Sequence, residues 1–123
     1  MRYTEENREL ARVVTIEEEQ LTSHEAPEMK TAFLKMLSDE YEYTVVNMER
    51  VLRMDSTGLG AFLFGIRQAE NLDKDMIFCC LNKRIASLVK IAHLSDIIEM
   101  YDTVDEALAA VEEDYRDLRD LKE

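Results

Sequence analysis

The chain has 123 residues, 46% of them hydrophobic, and carries twenty-seven acidic against fifteen basic side chains, a formal charge of −12. That length suits a single domain with one core, and the negative field repels phosphate backbones and anionic lipid surfaces, which argues against direct nucleic-acid or membrane binding. No apolar run approaches the roughly 20 residues of a membrane helix, and the opening "MRYTEENREL" holds no apolar signal-peptide core, so a cytoplasmic protein is expected.

In chain order, a short strand is expected near Tyr3 to Glu6, then a turn at Asn7 and Arg8, then a second strand in the branched run "ELARVVTIEE". Together these read as a hairpin. A first helix lies within "LTSHEAPEMKTAFLKMLSDE", where Met29, Phe33, Met36 and Leu37 fall at helical spacing, with Thr22 and Ser23 as cap candidates and Pro27 near the first turn. "YTVVNM" is a strand, and Leu59, Phe62, Leu63 and Ile66 mark the apolar face of a second helix. "DMIFCCL" is again a strand. Its Cys79 and Cys80 should point to opposite faces, a poor arrangement for one metal, so buried reduced thiols are expected. His24 and His93 stand far apart with no second ligand at metal-binding spacing. Ile85, Leu88, Val89 and Ala92 define a third helix and "IIEMY" a short last strand. Val104, Leu108, Val111 and Tyr115 define a fourth helix, long and acidic, over about 103–123, with Thr103 and Glu106 spaced as a capping box.

Strands alternating with helices require crossovers, so the fold class is α/β: one domain, 1–123, with a parallel or mixed sheet of about four to five strands and about four helices packed on it. The run "MDSTGLG", residues 54–60, falls at a strand-to-helix turn, with Asp55 and Ser56 at or next to the N-cap of the second helix. Loops at the carboxyl ends of parallel strands are where such sheets bind and react. The spacing fits no dinucleotide turn, because Leu63 stands where the third glycine belongs, and no P-loop, because no Gly-Lys-Ser/Thr follows. Thr57 separates Ser56 from Gly58, against an aspartic-protease triplet, and neither histidine lies near Ser56 in sequence to activate it as a nucleophile. An enzyme is therefore not expected. A hydroxyl at a helix N-terminus remains, where free N–H groups and the helix dipole tolerate added negative charge. It serves either as a cap alone or as a group that another protein modifies. Gly58 and Gly60 each cost about 1 kcal/mol of helix propensity relative to alanine, so close packing or access of another protein to Ser56 must keep them.

The segment "MDSTGLGAF" after "VVNMERVLR" resembles the signature of STAS domains, specifically of anti-sigma-factor antagonists, whose D-S-S/T-G-L-G segment holds a phosphorylatable serine. The resemblance covers nearly the whole chain: "LTSHEAPEMKTAFLKML" is similar to the family's first helix and its entry, and "IASLVKIAHLSDIIEMYDTVDEALAAV" to its third helix through its fourth. It implies a mixed sheet with helices. It places the phosphoacceptor at Ser56, with Asp55, Thr57, Gly58, Leu59 and Gly60 as motif neighbours. It also implies that the unphosphorylated domain binds an anti-sigma factor that is itself an ATP-using serine kinase, and so frees the sigma factor. Phosphorylation would break that complex and a PP2C-type serine phosphatase would restore it; the chain itself would need no cofactor. Two positions depart from many relatives: Thr22 stands where an acidic residue is frequent, and Asn47 where Asp is frequent.

The partner's landing place is expected around Thr22 and on the face of the second helix opposite its apolar side, through Ala61, Phe64 and Gln68. There Phe64 would be either an aromatic anchor or tucked against a neighbouring element. The competing function is a STAS scaffold, or a soluble partner of a transporter, without phosphate switching.

Overall fold

The computed structural model describes residues 1–122; Glu123, included in the expected last helix, lies outside the described residues. β1 (Tyr3–Asn7) and β2 (Ala11–Ile16) form the expected hairpin, followed by β3 (Gln20–Leu21), α1 (Ala26–Met36), β4 (Tyr43–Asn47) and β5 (Arg53–Met54). Then come α2 (Ser56–Asn71), β6 (Asp75–Cys79), α3 (Lys83–Ile91), β7 (Met100–Tyr101) and α4 (Val104–Lys122). The five-stranded sheet runs β1-β2-β4-β6-β7, antiparallel at its first pair and parallel elsewhere. It is therefore mixed, as the element order requires.

Strand alternation divides the core in two. Val14, Val46 and Phe78 point to one side, where Met29 and Phe33 of α1, Phe62 of α2, and Ile85 and Val89 of α3 cover them. Val13, Val45 and Ile77 point to the other, under Ala107 and Val111 of α4. Phe62 stacks on Phe78 at 4.2 Å, with the Phe33 ring tilted against both at 6.1 and 6.3 Å. Among the described residues no helix is long and apolar enough to cross a membrane.

Four features depart from expectation, each for a local reason. A second, two-stranded parallel sheet joins β3 to β5, pairing Gln20 with Arg53 and Leu21 with Met54; two residues are too few for alternation to show. The first helix starts at Ala26 rather than behind Thr22 or Ser23, because Thr22 closes a turn with Glu25 first, its carbonyl accepting from the N–H groups of Glu25 and Ala26. β6 stops at Cys79, since Cys80 takes φ 63° and breaks the alternation. Both thiols are free and pack on the α4 side instead of opposite faces. Burial pushes the Cys79 thiol pKa up.

The last departure concerns α2. It packs on α1 as well as on the sheet, so small residues, Gly58, Ala61, Gly65 and Ala69, form a second buried stripe beside the expected one. A Cβ on Gly65 would come 2.7 Å from the Phe33 ring of α1, which shows how near the two helices lie.

Candidate functional site

β4 ends at Asn47, whose side-chain carbonyl accepts from the Glu49 N–H at 3.0 Å while its amide donates to the Thr15 hydroxyl at 3.4 Å. An aspartate in this place could accept from both groups. The chain then crosses the end of the sheet. The Asn82 amide, at the N-cap of α3, donates to the Leu52 carbonyl at 3.0 Å and holds this crossing down. β5 follows, zipped to β3, and Asp55 opens α2.

Asp55 is the N-cap, and Ser56 is the first helical residue rather than the cap. One Asp55 oxygen accepts from the N–H groups of Thr57 at 3.0 Å and Gly58 at 3.1 Å, and from the Thr57 hydroxyl. The other accepts from the Ser23 N–H at 3.3 Å. Thr57 first, then the N–H groups of Gly58, Ser23 and Thr57, hold the Asp55 carboxyl below its ordinary pKa. The two hydroxyls of the motif are thereby distinguished. That of Thr57 is bound to Asp55, whereas Ser56 is exposed and its hydroxyl has no hydrogen-bond partner among the described residues.

The two glycines separate as clearly. A Cβ on Gly58 would sit 2.3 Å from the Leu21 carbonyl oxygen and 2.7 Å from Met54 Cγ, so Gly58 lets β3 lie directly on the start of α2. A Cβ on Gly60 would meet nothing within 4 Å. Neither glycine has positive φ. Close packing keeps Gly58; nothing within the fold requires Gly60, which lies exposed one turn beyond Ser56. Leu59 is buried in the core.

The residues expected to meet a partner are only partly brought together. Thr22 lies in the turn tied to Asp55 through Ser23, and it donates its own N–H and hydroxyl to Glu25 Oε1 at 3.0 and 2.8 Å. Those bonds hold the Glu25 carboxyl below its ordinary pKa. Ala61 is 0% exposed, inside the small-residue stripe, and is not available to any partner. Phe64 and Gln68 are half-buried. The Lys30 ammonium stands 5.7 Å from the centre of the Phe64 ring, so Phe64 lies against α1 while keeping an accessible edge. The Ser23 N–H and the Leu21 carbonyl, which shape the site, escaped notice because they act through the backbone; the one signal for their turn was Thr-x-x-Glu at 22–25.

The sequence profile of the STAS domain family matches residues 4–107. The chain belongs to the STAS domain family. Over 81 residues it is 31% identical to the anti-sigma-B factor antagonist of Staphylococcus aureus, covering 66% of this chain and 75% of that one. In fold it is similar to an anti-sigma factor antagonist from Mycobacterium paratuberculosis, with TM-score 0.75, 18% identity and coverage of 90% of this chain and 93% of that one. It is also similar to the anti-sigma factor antagonist SpoIIAA in its unphosphorylated form, with TM-score 0.71, 18% identity and coverage of 90% and 96%. The family's fold is the mixed sheet with four helices described above.

Proposed function

We propose that this STAS domain is an anti-sigma-factor antagonist, a regulatory binding protein controlled by phosphate on Ser56. In its unphosphorylated form it binds an anti-sigma factor that is also a serine kinase, and so frees the sigma factor. The kinase, using ATP, phosphorylates Ser56 and the complex parts; a PP2C-type phosphatase resets it. The relationship to the staphylococcal antagonist supports the binding role. The observation that carries the switch is the contrast within the motif: an exposed, unbonded Ser56 hydroxyl beside a Thr57 hydroxyl held by Asp55.

The physics of the switch is local. A phosphoryl group adds roughly −1.5 to −2 charge at a helix N-terminus, where N–H groups and the dipole favour it, so the fold survives. A partner lying over Ser56 would have to desolvate that charge next to the Asp55 carboxylate, so the interface does not survive. Around Ser56 the exposed surface continues through Thr57 and Gly60 towards the free edge of Phe64, and open space over Gly60 permits a close approach. The test is the affinity of the anti-sigma kinase for Ser56→Asp against the unmodified chain. A loss of tenfold or more, with the unfolding midpoint within a few degrees, is expected; equal affinity would refute the switch.

A further inference from the structure

Successive strand residues face opposite ways, which would keep the thiols of Cys79 and Cys80 apart. The fold brings them together instead. Cys80 follows the last residue of β6 and takes φ 63°, a left-handed conformation uncommon for any residue but Gly, Asn or Asp. Hydrogen bonds fix it from both sides: the Cys79 carbonyl accepts from the Met48 N–H at 2.9 Å, and the Cys80 N–H donates to the Tyr101 carbonyl at 3.0 Å. Both side chains therefore pack on the α4 side of the sheet, and the two thiols lie within hydrogen-bonding reach of each other. They are the only cysteines of the chain, and both are free.

The pair is unequal. Cys79 is 0% exposed, whereas Cys80 is half-buried and meets solvent. Burial first, then Cys80 and Glu49, hold the Cys79 pKa above its ordinary value. Cys79 thus stays a protonated thiol, and Cys80 is the sulfur that a small solute reaches first.

We propose that Cys79 and Cys80 form a redox-active dithiol, which hydrogen peroxide oxidises to a disulfide between neighbouring residues. The Cys80 sulfur attacks one peroxide oxygen: an S–O bond forms, the O–O bond breaks, and the thiol proton leaves with the departing oxygen as water, so that Cys80 becomes a sulfenic acid. The Cys79 sulfur then attacks the Cys80 sulfur. The S–S bond forms, the S–O bond breaks, and the departing hydroxide takes the Cys79 proton as a second water. The two thiols lose two electrons and two protons, and the peroxide is reduced to two waters. Contact between the thiols makes the second step intramolecular, which protects Cys80 from further oxidation. Neighbouring Cα atoms stand about 3.8 Å apart across a trans peptide, below the span of about 4.4–6.8 Å that disulfides usually adopt. The bond is therefore readily reduced and the change reversible. The pair precedes Asn82, whose amide holds the crossing at Leu52, and includes no residue of the Ser56 motif, so the inference stands apart from the phosphate switch.

Mass spectrometry of the folded, reduced chain after treatment with an equimolar amount of hydrogen peroxide tests this, because trypsin releases both cysteines in one peptide, residues 75–83. The expected product is a monomer whose peptide 75–83 has lost two hydrogens, takes up no iodoacetamide, and regains both thiols with dithiothreitol. In Cys79→Ser the reaction should stop at a Cys80 sulfenic acid that dimedone captures, and in Cys80→Ser the buried Cys79 should stay reduced. The result on the unmodified chain decides the matter without depending on how well either variant folds. A sulfinic acid on Cys80 with Cys79 still free, a disulfide between two copies, no oxidation at all, or Cys79 oxidised as readily in Cys80→Ser would overturn the proposal.

Discussion

Asp55 joins two pieces of backbone, the first turn of α2 and the loop at Ser23, and holds the Thr57 hydroxyl as well. Its lowered pKa means that its contribution to stability is present above the ordinary value of 3.8 and is lost as pH falls through the lower folded value. Asp55→Ala removes the cap and should cost about 1 kcal/mol, a fall in unfolding midpoint of about 4 °C by calorimetry at neutral pH. It should also free the Thr57 hydroxyl, so that the variant accepts phosphate at Thr57 as well as Ser56. The glycines should respond in opposite directions. Gly58→Ala drives a Cβ into the Leu21 carbonyl and should lose about 1–3 kcal/mol in denaturant unfolding. Gly60→Ala meets nothing and should gain up to about 1 kcal/mol in the same experiment. If open space over Gly60 serves the partner, the same alanine weakens binding to the kinase while it stabilises the fold.

At the scale of elements, α2 is held on two sides, and Phe64 lies on its outer edge beside Lys30. Phe64→Ala should lower kinase affinity by roughly 2 kcal/mol, measured by titration calorimetry, with a small change in unfolding midpoint. Unchanged affinity with a drop of several degrees would assign the ring to the α1–α2 contact alone. On the opposite face of the sheet, Tyr43 donates to Asp114 at 2.7 Å and joins α4 to β4. Asp75 lies exposed at the start of β6, yet partial loss of water around its carboxyl first, and then the charges of Asp114, Glu99, Glu42 and Glu70, raise its pKa. A raised carboxyl pKa means that the folded chain holds this proton more tightly than the unfolded one, so stability is given up as pH rises from 3.8 through the folded value. Asp75→Asn should therefore raise the midpoint by about 1–2 °C at neutral pH, and the gain should vanish below pH 3.8. The order of elements was legible because alternating branched residues and helical spacing each run over five or more positions. β3 and β5 were not, since two residues carry no period. The second buried face of α2 was visible in principle, as Gly58, Ala61, Gly65 and Ala69 recur every three or four residues. Reading that stripe as surface is what placed Ala61 wrongly among the partner-facing residues.

For the whole molecule, the α2 start and the β3 turn gather at one end of the sheet, while α4 covers the sheet's opposite face. The charge of −12 favours a partner with a basic surface, drawn in at long range, and its on-rate should fall as salt screens the field. The local motif was readable as a hydroxyl at a helix start, but its division of labour was not: that Asp55 caps, that Thr57 is bound and that Ser56 is free are facts of side-chain geometry. The proposed phosphate switch rests on that division. Phosphate mapping by mass spectrometry, after incubation of the chain with the proposed anti-sigma serine kinase and ATP, tests it most directly. The expected result is a single phosphate on Ser56 and none in Ser56→Ala; phosphate on Thr57 of the unmodified chain, or undiminished incorporation in Ser56→Ala, would contradict it.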